Sequence, residues 1–333
     1  MKFNIVFEIK EGPWGGGNQF LKALKCELIK RDLYTKNIHE ADVLLFNSHH
    51  HLDQIISLKY KFPLKTFIHR IDGPIFTIRN KNLEIDKFIF KINSEIADGS
   101  IFQSNFSKKE SEAIGLKNSN KTDIIMNAPS LLFEKKKKKF NFRKPEVLIS
   151  SWSDNLNKGF ETYSYLDNNL DFNDFSIKFI GNTPYEFKNI KCQGPMNSNS
   201  LKKELIKSDI YLTASVNDPC SNSLIEAIHS GLIPIAINSG GHPEIINDNR
   251  LVFSNIQDLI YILYEIKKGN INYQCNLPNI SSITEKYVTF SKKVKLSKKT
   301  KTISKTKKIK LLITKFILDL RLKSQDYFNY GNR

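Results

Sequence analysis

Residues 208–246 read SDIYLTASVNDPCSNSLIEAIHSGLIPIAINSGGHPEII, and the pattern of this stretch decides the fold. Residues 209–214 are β-branched and aromatic, the composition of a buried strand. Asn217-Asp218-Pro219 breaks that run, and Ser221-Asn222-Ser223 offers N-cap side chains to a short helix. Gly231 ends the helix, and 232–237 form a second apolar run. One βαβ unit results, which predicts parallel strands and a right-handed crossover. Leu224, Ile225 and Ile228 give the helix an apolar face for the sheet. Asn222 and Glu226, one turn apart, share another face at the mouth of the strands. Asp218 stands in the loop just before. Two carboxylates therefore flank a helix start whose first N–H groups, over Asn222, Ser223 and Leu224, favour a phosphate. Carboxylates for hydroxyls beside N–H groups for phosphate suit a sugar nucleotide.

Asp218-x7-Glu226, the following Ala227-x-x-x-Gly231 and the close Gly240-Gly241-x-Pro243-Glu244 resemble the retaining glycosyltransferases of family 4, which have the GT-B fold. Their usual pattern is Glu-x7-Glu, so Asp218 departs from it by one methylene. The resemblance implies an α/β protein of two Rossmann-like, doubly wound domains facing across a cleft. It implies that Glu226 holds the ribose hydroxyls of the donor and Asp218 the donor sugar. It also implies retention of anomeric configuration by front-face attack.

A chain of 333 residues accommodates two domains and a tail, here divided as 1–133, a linker 134–145, 146–284 and a tail 285–333. The formal net charge of +17 is uneven: from Glu285 onward fifteen Lys or Arg face three acids. No aromatic platform or DNA-binding motif accompanies that charge, which argues against nucleic acid. Cys26, Cys192, Cys220 and Cys275 show no paired spacing, and with no signal peptide they read as reduced cytosolic thiols. No apolar run reaches the roughly 20 residues of a membrane span.

In the first half, the strand 2–9 leads into Glu11-Gly12-Pro13-Trp14-Gly15-Gly16-Gly17 and a helix starting near Asn18. A glycine loop between strand and helix lets backbone approach an anion, so Gly15, Gly16 and Gly17 are candidates for donor phosphate. The strand 41–47 ends in His49-His50-His51, which lacks a second ligand cluster and reads as a solvated loop, not a metal site. The strand 66–71 runs into His69-Arg70-Ile71-Asp72-Gly73-Pro74. The resemblance places His69 against the donor sugar, while Arg70 and Asp72 read equally as a local ion pair or as cleft residues. Strands 98–104 and 123–126 follow, the latter ending in Asn127.

The five lysines within EKKKKKFNFRK at 134–144 repel one another and mark an exposed linker. The strand 146–150 opens the second domain, and Lys158-Gly159 matches the family's Lys-Gly, a point charge for a diphosphate. The arginine usual a few residues earlier is replaced by serine, tryptophan or asparagine. Gly181, after the strand 177–181, matches the glycine turn beneath the base. A helix at 256–267 packs the far side. Residues 291–308 are too polar to bury anything and read as mobile. From Ile309, Leu312, Ile313, Phe316 and Leu320 recur on a basic helix, which either lies on an anionic membrane or docks on the protein.

The expectation is thus a cytoplasmic glycosyltransferase, with an anionic membrane surface as the alternative partner of its tail, moving sugar from a nucleotide-sugar donor to a glycan or lipid-linked glycan in polysaccharide synthesis. It needs no cofactor and, having no Asp-x-Asp, no metal. A sugar-nucleotide epimerase, or a silent carbohydrate- or nucleotide-binding protein, would share these motifs.

Overall fold

The computed structural model describes residues 1–12, 15–79, 82–117, 120–134 and 139–330. Residues 135–138 of the expected linker, and Pro13 and Trp14 of the glycine loop, lie outside the described residues. The first half runs β1 (Phe3–Val6), α1 (Gly16–Lys30), β2 (Val43–Asn47), α2 (Leu52–Lys61), β3 (Thr66–Ile71), α3 (Ile75–Arg79), α4 (Leu83–Ile96), β4 (Gly99–Phe102), α5 (Asn105–Ala113) and β5 (Lys121–Ile124). The second runs β6 (Glu146–Ser151), α6 (Phe160–Asn169), β7 (Ser176–Gly181), β8 (Lys191–Gln193), α7 (Ser198–Lys207), β9 (Ile210–Thr213), α8 (Asn222–His229), β10 (Ile233–Ile237), α9 (His242–Ile246), β11 (Val252–Phe253) and α10 (Ile256–Lys267). Two helices close the chain, α11 (Ile280–Ser297) and α12 (Lys305–Tyr330).

All strand pairs are parallel, as expected where crossover helices separate them. The first sheet has the order β1-β2-β3-β4-β5, with a parallel bridge from Phe3 to Tyr34 on the outer side of β1. The chain therefore moves outward from β1 through α1 and then returns to β2. The second sheet has the order β11-β10-β9-β6-β7-β8, so its reversal falls between β6 and β9. In open parallel sheets such a reversal leaves a crevice at the carboxyl ends of the strands, where ligands bind.

Strand alternation divides the first domain's core into two layers. Leu44, Phe46, Phe67 and Ile71 face α2 and α4, while Val43, Leu45 and Ile68 face α1 and α11. The second domain has one continuous core, in which Leu224, Ile225 and Ile228 of α8 are fully buried. Full burial of such a side chain is worth about 1.5–3 kcal/mol, so α8 is fixed by its apolar face and its polar face is free for other work.

The end of the chain differs from the expectation of a mobile polar segment. Helix α11 returns to the first domain and packs on α1, burying Tyr287, Val288, Phe290, Ser291 and Val294. The reason is spacing: within a sequence rich in Lys and Ser, the apolar residues recur every three or four positions, which makes a narrow buried stripe. Lys295 then pairs with Asp42 at 2.6 Å, Lys298 with Asp98 at 3.5 Å, and Lys301 caps α4 through Ala97 O at 2.8 Å. Helix α12 docks on α2 and α4 through Leu311 and Leu318. Its opposite face leaves Ile309, Ile313, Phe316, Ile317 and Leu320 exposed.

Candidate active site between the two sheets

A cavity of about 460 Å³ lies between the carboxyl ends of the two sheets, within the range of small-ligand sites. The second domain supplies its floor: Ser150 to Ser153 at the end of β6, Asn157 and Lys158 before α6, Gly181 at the end of β7, and residues between Thr213 and Glu226 around the start of α8. The first supplies the opposite wall: Gly15, Gly16, Gly17, Gln19, Asp72, Ile78 and Gln103.

The carboxylates predicted from the α8 spacing both reach this cavity, in different states. Glu226 is half-buried, and among the described residues nothing hydrogen-bonds to its carboxylate; burial pushes its pKa up to about 8. Burial would raise Asp218 too, but Lys158 at 3.4 Å and the nearby His242 hold its pKa below the usual value. The Asp218 carboxylate also accepts from Cys220 N at 3.2 Å, and Gly241 N donates to Asp218 O at 2.9 Å. The Gly240-Gly241 turn thus fixes the loop that carries Asp218. Lys158 is positioned by Gly159, whose φ of +81° and contact with Ala214 O exclude a side chain. Asn222 and Ser223 line the cavity at the open end of α8. Leu224 does not: its side chain is buried in the core, so it belongs to the packing face and offers the cavity no side-chain contact.

The glycine loop is brought against α8. A Cβ on Gly16 would overlap the Asn222 side chain, and Asn127 Nδ2 donates to Asn222 Oδ1 at 3.2 Å. Three further contacts join the domains near the cavity. Asn157 Nδ2 donates to Ile78 O at 2.8 Å, and Asn217 Nδ2 to Thr77 O at 3.2 Å. The carboxylate of Glu244 caps α5, accepting from Asn105 N and Phe106 N at 2.8 Å each. Sequence reasoning noted Glu244 as a motif residue and missed this bridge, whose signal is split between two distant segments.

His69 is not at the cavity. β3 sends it to the layer beneath α4, where its ring stacks on Phe46 with centroids 4.2 Å apart. Its Nε2 lies 3.1 Å from Ser48 O and its Nδ1 accepts from Asn93 Nδ2 at 3.1 Å. Burial lowers its pKa to about 4, so it is a neutral core residue with both nitrogens used. Arg70, on the other face, is fully buried over the Phe20 ring at 4.9 Å. The next polar side chain, Asp72, lies beyond the strand end and reaches the cavity, paired with Arg70. The histidine loop is less solvated than expected, because Phe7 packs edge-on against His50 at 4.9 Å.

Comparisons with known proteins agree with this geometry. Residues 134–260 match the family model described as Glycosyl transferases group 1. Anabaena Alr3699/HepE, solved in complex with UDP-glucose, superposes with a TM-score of 0.62 at 12% identity, over 97% of this chain and 100% of that one. Sucrose-phosphate synthase from Thermosynechococcus elongatus does so with a TM-score of 0.55 at 12% identity, over 95% and 79%. None of the curated proteins matches the sequence. The fold is GT-B. The match to glycosyl transferases group 1 covers the residues that carry Lys158, Asp218 and Glu226, and the chain is an enzyme of the glycosyltransferase class.

Proposed function

We propose that this enzyme transfers a sugar from a nucleotide-sugar donor to a glycan or lipid-linked glycan acceptor, as a retaining, metal-independent member of family 4 acting in surface polysaccharide synthesis. The observation that carries the reading is the composition of the cavity floor: a carboxylate at Glu226 with no hydrogen-bond partner among the described residues, a cation at Lys158 and the open start of α8. Glu226 takes the ribose hydroxyls of the donor. Lys158 and the first N–H groups of α8 take the diphosphate and stabilise the charge that develops on it as the glycosidic bond breaks. Asp218 orients Lys158 and faces the donor sugar, and Gly181 leaves room beside the base. The UDP-glucose held by Anabaena HepE supports a uridine nucleotide as the first donor to try. In this reading residues 1–133 are the acceptor side and 146–284 the donor side. A thermal-shift panel of nucleotide sugars tests it: at least one must raise the melting temperature in a saturable way. Absence of any shift across uridine, guanosine and adenosine diphosphate sugars refutes it.

A second reading concerns where the enzyme works. No helix among the described residues is long and apolar enough to cross a membrane. The outward stripe of α12, bordered by Lys305 and Lys310, instead supports peripheral attachment to the anionic cytoplasmic face of a membrane. A second copy fits this face poorly, because pairing two such helices would oppose their basic borders.

A further inference from the structure

The first domain places one carboxylate in the cavity wall, and it is built to stay there. Every polar atom of Asp72 is held by the domain that carries it. Its N–H donates to Ser48 Oγ at 3.0 Å and its C=O accepts from Ser107 Oγ at 2.5 Å. Its Oδ1 accepts from Arg70 and Gln103, and its Oδ2 from Asn47 Nδ2 at 3.1 Å. Arg70 is in turn fully buried and bound to Asn47 and Asn127. A side chain locked on all sides yet 29% exposed presents a fixed surface to the cavity. Oδ2 is the freer oxygen, holding one donor where Oδ1 holds two. The residue in front of it is Gly17, whose missing Cβ would stand 4.0 Å from Oδ2.

We propose that Asp72 is the residue the first domain supplies to the transferred sugar, accepting a hydrogen bond from a sugar hydroxyl through Oδ2. This rests on the donor reading above and departs from the expectation placed on His69. The second domain holds the leaving diphosphate with positive groups, so the sugar must extend across the cavity towards the opposite wall. Positive charge develops at the anomeric carbon as the leaving group departs, and a fixed carboxylate on that wall is placed to stabilise it. Gly17 then has a second use besides backbone approach: it keeps the path to Oδ2 open.

Full-length Asp72→Asn and Gly17→Ala proteins test this, with UDP as the binding probe and UDP-glucose, with water or added acceptor, as the turnover probe. Asp72→Asn keeps the shape and removes the charge. Gly17→Ala leaves the Arg70 pair intact and narrows the approach to Oδ2, which covers the case in which Asp72→Asn folds poorly. Expected is a UDP affinity within twofold of wild type for Asp72→Asn; Gly17→Ala, in a loop that can also approach phosphate, is read by its kcat at saturating UDP-glucose. The rate of UDP release should fall at least 100-fold for Asp72→Asn and at least 10-fold for Gly17→Ala, with KM for UDP-glucose changed less than kcat. Rates within threefold of wild type overturn the proposal. So does a loss of UDP affinity that equals the loss of rate, since Asp72 would then only prop the cavity. A wild-type protein that binds none of UDP, GDP and ADP refutes the donor reading first, and the assignment of Asp72 with it; one that binds GDP or ADP instead is tested with that nucleotide and its sugar.

Discussion

At the scale of single residues, Glu226 sets the most direct test of the donor site. The free protein holds its carboxyl up at about 8, because burial penalises the charged form and nothing among the described residues offsets it. Ribose hydroxyls bind the ionised form, so binding below that pH must expel a proton. UDP affinity should therefore rise about eightfold between pH 7 and pH 8.5 and then level off, given an acid titrating near 8. Calorimetry in buffers of different ionisation heat reads the proton directly, and a flat profile refutes the role. Linkage gives the sign for stability: the folded pKa is raised above 4.5, so the native state holds the extra proton and loses stability as pH climbs from there towards 8. Glu226→Gln should gain on wild type across that window in chemical denaturation. Lys158 is tested by contrast between ligands. Lys158→Ala should weaken UDP at least tenfold and leave uridine unchanged, since a hydrogen bond to a charged group is worth about 1.5–3 kcal/mol. Because cation and helix amides are assigned to the diphosphate, transfer should persist in excess EDTA; a loss that Mg²⁺ restores would reject that assignment.

At the scale of elements, α8 shows what was legible and why. Its apolar and polar faces follow from spacing within one turn, so Asp218, Asn222 and Glu226 could be placed on the cavity side from sequence. Leu224→Ala should cost about 2–5 kcal/mol by leaving a core void, whereas Glu226→Ala should cost nothing measurable in thermal unfolding at neutral pH. Equal losses would mean that the helix has no functional face. His69 was misread because a strand end does not say which side chain turns to the crevice. Alternation buries His69 and Arg70 on opposite faces of β3, and only Asp72, past the last paired residue, comes free. The tail was read by composition, and its lysines concealed the period of Tyr287, Phe290 and Val294. Helix α12 settles neither alternative alone, since one face docks and the other stays bare. Ile313→Glu with Phe316→Glu should abolish binding to phosphatidylglycerol vesicles while leaving the melting temperature within about 2 °C, as for surface substitutions. Leu311→Glu should lower the melting temperature. Vesicle binding that survives the double substitution would clear α12 of any membrane role.

At the scale of the molecule, the chain crosses between the domains twice, once after β5 and once after α10, and the second crossing returns α11 and α12 to the first sheet. Truncation after Asn279 removes Ile280, Ile283, Tyr287, Val288, Phe290 and Val294 from a core they share with β1, α1 and β2. Such a protein should be insoluble or lack a cooperative transition, whereas truncation after residue 304 should fold with a lowered melting temperature. A full-stability product of the longer truncation would refute the packing of α11. The same layout reverses the usual order of events during synthesis, in which the N-terminal domain folds first. Among the described residues, the buried core of the second half spans 133–271, with Met126, Leu132, Tyr273, Cys275 and Leu277 packed against it, and it can close once these emerge. The first half, although made earlier, must wait with one layer open until residues 280–294 have been made and complete it.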